Sequence, residues 1–239
     1  MSEPRVGASR PLPRQLLATD TDAAARRLIG ARLVTGRGPD RRIGRIVEVE
    51  AYVGQEDLAS HARFGRTRRN AAMFGPPGLA YVYLVYGMYH CLNVVTEAEG
   101  RPAALLVRAV DPIAGMDEMR AARIRWARGR PGRSGISGSE RAGNRIEALP
   151  NSQLASGPGL VCAAFSVDST ANGVDLCDAC SELRLEEAEE DGQLPLETAA
   201  RTGIDYAPDP WRSLPWRFFV PGNAAVSSVP PRSRRRVAP

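Results

Sequence analysis

Ile46-Val-Glu-Val-Glu-Ala-Tyr-Val53 alternates apolar and polar residues, and in a strand successive side chains leave on opposite faces. The alternation puts Val47, Val49, Ala51 and Val53 on one face and Glu48, Glu50 and Tyr52 on the other. The first face reads as core. The second carries two carboxylates and a phenol in a row, which is either a solvated strand face or the floor of a site.

The chain around this strand continues in the same style. Ala80 to Thr96 reads as two strands about a turn near Gly87, with Tyr81 and Tyr83 on one face and Tyr86 at the tip. Leu105 to Val110 and Trp216 to Val220 are further strands. Thr19-Asp-Thr-Asp, an alanine-rich body and Gly30 make the cap, body and stop of a short helix. Asp117 to Arg128 has helical spacing with an arginine-bearing face, and Gly157-Pro-Gly opens another helix with Pro158 in its first turn. Arg130 to Ser139 reads as a Gly/Arg/Ser loop, and the acidic run Glu182 to Asp191 is expected to face away from any polyanion. The aperiodic stretch 1–14 and the arginine-rich 229–239 read as disordered arms around one domain over 15–228.

Composition narrows the chemistry. A net charge of +5 and a pI near 9.4 suit a polyanionic partner without demanding one. All 32 basic side chains are arginines, so a lysine Schiff base is impossible. The guanidinium fork also fits phosphates and base edges. Four cysteines in 239 residues are too few for a disulfide scaffold, and no apolar run is long enough to span a bilayer. These features lead to an expectation of a cytoplasmic protein. Cys177-Asp-Ala-Cys180 has the spacing of half a zinc knuckle, but no second pair follows, so neither metal nor cofactor is expected.

Five of the six tyrosines lie between Tyr52 and Tyr89, together with both histidines, His61 and His90. Strand propensity could gather them, or a site where bases stack on rings. Arg108 sits inside Ala-Leu-Leu-Val-Arg-Ala-Val and needs a carboxylate if buried. That partnership is either structural or a means of holding water. Asn93, in Cys91-Leu-Asn-Val-Val, either satisfies a backbone group or reads purine edges.

Together these residues carry a resemblance. Val47-Glu-Val-Glu-Ala-Tyr-Val-Gly-Gln-Glu-Asp-Leu-Ala-Ser-His61, Arg69-Asn70, Met73-Phe74 and Tyr81-Val-Tyr-Leu-Val-Tyr-Gly-Met-Tyr-His-Cys-Leu-Asn93 resemble the alkyladenine (3-methyladenine) DNA glycosylases. The likeness continues through Leu105-Leu-Val-Arg-Ala109, Gly157-Pro-Gly-Leu-Val-Cys162, Arg201-Thr-Gly-Ile204 and Trp216-Arg-Phe-Phe-Val220. It implies an α+β domain with a curved antiparallel sheet, a protruding β-hairpin and several short helices.

By position, the resemblance makes Glu50 the general base, Arg108 a holder of the attacking water and the Thr202 carbonyl a third contact to it. Tyr52, His61 and Tyr83 become the walls around a flipped base, and Asn93 the group that crowds normal guanine. Tyr86 becomes the minor-groove wedge. Met73, Met88 and Tyr89 line the lesion pocket or DNA face, and Arg66, Arg69 and Asn70 belong with the DNA contacts. Thr202 stands where relatives carry an aliphatic residue, and the Arg66-Thr-Arg-Arg69 stretch is shorter than in some.

The implied activity is monofunctional base excision on double-stranded DNA containing damaged purines, by a monomer, nucleoid-associated if bacterial. A non-catalytic module for distorted DNA or structured RNA would use the same hairpin and arginines without needing Glu50. A small-molecule nucleoside hydrolase would leave the hairpin tip and basic arms unexplained.

Overall fold

The computed structural model describes residues 10–129, 136–188 and 194–227. Its centre is one antiparallel, curved sheet. In chain order the strands are β1 (Arg32–Thr35), β2 (Arg42–Val53), β3 (Ala80–Val85), β4 (Tyr89–Val95), β5 (Ala103–Ala114), β6 (Leu183–Glu186), β7 (Glu197–Ala199) and β8 (Arg217–Phe219). They lie side by side as β3-β4-β5-β2-β1-β6, while β8 pairs with the second half of β2 and carries β7.

The alternation read in β2 is what builds the core. Val47, Val49 and Ala51 pack with Val82, Leu92, Val94, Leu105 and Val107 from neighbouring strands. Three helices close this face: α1 (Thr21–Leu28), α2 (Met116–Arg128) and α4 (Pro158–Phe165). α1 starts at Asp20, whose side chain accepts the Ala23 N–H at 3.0 Å, and such a cap contributes about 1 kcal/mol. α4 begins at Pro158, and Val161, Cys162, Ala164 and Phe165 enter the core.

Two expectations change. Ile136–Glu147 forms helix α3, where a loop to Ser139 was expected, because Ala142 and Ile146 bury against Ala127 of α2 and outweigh the two glycines in the segment. Within the acidic run, Leu183–Glu186 pairs with β1, and Glu186 is buried against Arg184 and Arg41. Residues 10–14 join the fold, with the Leu12 N–H donating to Leu185 O and Leu12 itself buried. Residues 1–9 and 229–239, the remainder of the expected arms, lie outside the described residues.

The β2–β5 pairing carries the irregularity that matters most. Ile46 stands opposite Val110, Glu48 opposite Ala109 and Val49 opposite Val107. Val47 and then Arg108 are therefore each left without a ladder partner. Such bulges bend a strand and re-aim a side chain, here the guanidinium of Arg108 in the middle of β5.

Candidate active site

Both β2 carboxylates are fully buried, so neither belongs to a solvated strand face. Glu48 Oε1 accepts Arg108 Nε at 3.0 Å, Arg217 Nε at 2.7 Å and Ser227 Oγ at 2.9 Å, while Oε2 accepts the Ser227 N–H at 2.7 Å. Arg108 then turns Nη1 to Glu50 Oε1 at 3.3 Å. Burial opposes the charge on Arg108, and the charges of Glu50 and Glu48 overcome it, holding its pKa above the ordinary value. The arginine is thus both a structural partner and a neighbour of Glu50.

Glu50 is held differently. Oε1 accepts the Thr202 N–H at 2.7 Å and the Thr202 hydroxyl at 2.8 Å, and Oε2 accepts the Tyr52 hydroxyl at 3.0 Å. Thr202 reaches it because Arg201 clamps that segment to β2. Its guanidinium grips Asp57 in two contacts of 2.6 and 3.0 Å and donates to Ala51 O at 2.8 Å and Trp211 O at 3.0 Å. It also lies 4.7 Å from the Tyr52 ring centre and 5.0 Å from that of Trp216. Asp57, Arg201, Arg217 and Ser227 received no role from the sequence. Arg217 was detectable by the reasoning that singled out Arg108, a cation in an apolar strand, whereas nothing marks Ser227.

Strand register brings the remaining residues to the same face. Tyr81 is opposite Asn93, Asn93 opposite Leu106, and Leu106 opposite Glu50. Tyr83 and His61 meet edge to face at 4.5 Å, with Tyr81 5.2 Å from Tyr83. The Tyr81 hydroxyl lies 2.9 Å from His61 Nδ1. Burial and the charges of Arg69 and Arg63 push His61 down to about 4. Burial and then Glu50 raise the pKa of Tyr52; burial and then Cys91 raise that of Tyr83. Burial pushes Tyr81 up to about 12. At neutral pH the site therefore offers neutral phenols and a neutral imidazole.

Asn93 is buried, and its Nδ2 donates to Tyr81 O at 2.9 Å, so part of its amide does satisfy the backbone. Met73 is buried with Ala62, Tyr81, Val95 and Ala104, behind the ring wall rather than at its surface. Cys91 joins the site through its pairing with Tyr83, its thiol pushed up to about 11 by burial.

Beyond the wall, the hairpin projects. The Met88 N–H bonds to Val85 O, and the two residues between, Tyr86 and Gly87, take φ of +51° and +64°. Positive φ at both central positions matches the twist of a tight hairpin, but a tyrosine there is strained by ~1–3 kcal/mol. Tyr86 is nonetheless 85% exposed. Met88 is exposed and Tyr89 partly buried. Arg66 is exposed, and Arg69 donates to Leu84 O at 2.9 Å while lying 5.5 Å from the Tyr83 ring centre. Asn70 differs from its expected place on the DNA face. It is buried and ties the loop together, donating to His61 O at 3.1 Å and Gly65 O at 3.0 Å and accepting from the Thr67 N–H at 2.6 Å.

Among the described residues no three His, Cys, Asp or Glu side chains are grouped to hold a metal ion, and no helix is long and apolar enough to cross a membrane. Cys177 and Cys180 are free thiols.

A single α+β domain presenting a buried carboxylate beside an aromatic wall and an exposed hairpin tip is the class that fold and site define. Residues 15–224 match the methylpurine-DNA glycosylase family, and the chain belongs to it. It is 39% identical over 231 residues to a protein of Myxococcus xanthus (strain DK1622), covering 95% of this chain and 98% of the relative. It is 42% identical over 231 residues to one of Anaeromyxobacter sp. (strain Fw109-5), covering 94% and 99%. A third relative, from Methanocella arvoryzae, is 42% identical over 222 residues, covering 92% and 97%. All three bear the name "Putative 3-methyladenine DNA glycosylase".

Proposed function

We propose that this protein is a monofunctional glycosylase of base excision repair, turning an alkylated or deaminated purine out of duplex DNA and hydrolysing its N-glycosidic bond. The observation that carries the reading is the state of Glu50. It is wholly buried, yet its donors leave it incompletely filled. A carboxylate offers about four lone-pair sites. Thr202 takes two on Oε1, with Arg108 alongside, and Tyr52 takes one on Oε2. The remaining site on Oε2 is the one assigned to the attacking water.

In the proposed reaction the water oxygen bonds to the sugar C1′ and its proton passes to Glu50 Oε2. The C1′–N bond breaks, and its electron pair leaves with the base. On a cationic N-alkylated purine that pair neutralises the ring, so departure needs no added proton. The carboxylate also opposes the positive charge that develops on the sugar. The extruded base stacks between Tyr52 and the His61–Tyr83 pair, with Asn93 on the floor crowding the exocyclic amine of normal guanine. Tyr86 fills the vacated place in the stack, and the exposed Arg66 and Arg69 meet phosphates. With no lysine in the chain, no side-chain amine is available for a strand-cleaving lyase step.

The test uses labelled duplexes carrying 3-methyladenine, 7-methylguanine, hypoxanthine or ethenoadenine, incubated with the protein and with Glu50→Gln. The reading expects alkali-labile sites from at least one lesion with the native chain and none above background with the variant. Lesion binding without base release by the native chain would make it a recognition module instead.

A further inference from the structure

A groove of about 680 Å³ opens between α2, α3 and the start of α4. Its walls include Tyr89, which follows the hairpin turn at the start of β4, Trp126 and Arg123 from α2, and Arg141 and Arg145 from α3. The Tyr89 and Trp126 rings stand 5.1 Å apart at 40°. Tyr89 lies flat against α4 only because residue 159 is glycine; a Cβ there would overlap its ring.

The described lining of this groove carries positive charge only. None of its lining residues is acidic. Arg123 is only 6% exposed, has no carboxylate in contact among the described residues, and donates from Nη1 to Gln153 O and Leu154 O. Its Nε is buried without any partner. Burial first, and the neighbouring Arg120, depress its pKa. A guanidinium held out of water without an anion is unfavourable, and two further arginines stand exposed on the same groove.

We propose that this groove is a second DNA-binding site, taking a phosphodiester of the substrate strand on Arg123, Arg141 and Arg145 with its nucleoside against Trp126 and Tyr89. The proposal rests on the reading of the protein as an enzyme that acts on DNA. Position favours a DNA strand over a free anion, since Tyr89 in the groove wall is three residues from the exposed Tyr86 at the hairpin tip. Paired cations and aromatic faces are the combination that nucleic-acid backbones and bases use together.

The experiment measures binding of an undamaged duplex across a salt series, so it does not depend on base release. Each neutralised phosphate contributes about 0.9 to the slope of log K against log salt. The double variant Arg141→Ala/Arg145→Ala, both exposed, should flatten the slope by about 1 to 2, while Arg125→Ala on α2 outside the groove leaves it unchanged. DNA should also quench the fluorescence of Trp126, a signal lost in Trp126→Phe. Inorganic phosphate at millimolar concentration should not reproduce the quenching; if it does, the groove is a small-anion site and the proposal is overturned. An unchanged slope, or equal flattening by Arg125→Ala, overturns it as well. Failure of the catalytic reading would show instead as absent base release with the slope effect intact.

Discussion

Glu48 and Glu50 share a strand, a face and complete burial, and they differ in what surrounds them. Glu48 accepts from two guanidiniums and twice from Ser227. Glu50 accepts from Thr202 and Tyr52, uncharged donors, and meets one guanidinium at 3.3 Å. The first arrangement joins the second half of β2 to β5, β8 and the C-terminal segment. The second immobilises a carboxylate while leaving a lone pair beside an aromatic cleft. Burial alone does not tell the two carboxylates apart; the completeness and charge of the donor set do.

Exchanging each for its amide tests that contrast most sharply. Glu50→Gln should lower single-turnover base release by at least ~10²-fold, because the amide neither accepts the water's proton nor opposes charge on the sugar. Its melting temperature should change little, since Arg108 keeps Glu48. Glu48→Gln should do the reverse. Arg217 and Arg108 would then sit buried with one carboxylate fewer, and breaking such a pair costs ~3–5 kcal/mol. Thermal unfolding should show that loss, while the rate of the protein still folded stays within about tenfold of the native value. Large rate losses from both variants, with equal stability, would mean that the donor sets do not distinguish the two roles.

A smaller effect tests how much of the rate lies outside β2. Tyr86 is so exposed that truncation leaves no cavity, and Tyr86→Ala should leave folding stability within about 0.5 kcal/mol. If the ring fills the gap left by an extruded base, its loss returns part of the few kcal/mol that flipping requires. Excision should slow by ~10-fold from a fully paired duplex, less from a mismatched one and least from single-stranded DNA. Equal slowing on all three would remove the ring from the flipping step.

The strand faces, the hairpin with Tyr86 at its tip, and the capped α1 were legible because each follows from local pattern or a short signal. α3 was not, since Gly138 and Gly143 argue against a helix that only packing against α2 stabilises. The distinction between Glu48 and Glu50 was hidden from the alternation, and only the resemblance singled out Glu50. In sequence they are equivalent members of one alternation, and the donors that separate them, Thr202, Arg217 and Ser227, lie more than 150 residues away. Asn70 illustrates the opposite limit. The resemblance groups it with the DNA contacts, and its side chain donates to backbone carbonyls of its own loop.

The smallest expected effect concerns His61, which faces the cleft across from Glu50's strand. Its ring is pushed down to about 4, first by burial and then by Arg69 and Arg63, and it shares a hydrogen bond with the Tyr81 hydroxyl. An unfolded chain would protonate this histidine near pH 6.5. Between about 6.5 and about 4 the unfolded state therefore binds a proton that the folded state refuses, and stability falls as pH falls through that window. Above it the contribution is flat. His61→Phe should remove this component, so the native and variant proteins should diverge in melting temperature towards higher pH-dependence for the native chain below 6.5. The same shift keeps His61 out of its imidazolium form at neutral pH, which suits a wall of the cleft rather than a resident acid for a neutral purine. With only two histidines in the chain, their ring resonances can be assigned by the variant and titrated directly. A midpoint for His61 near 6.5, matched by a limb in the excision rate of hypoxanthine that His61→Phe abolishes, would make it the acid instead.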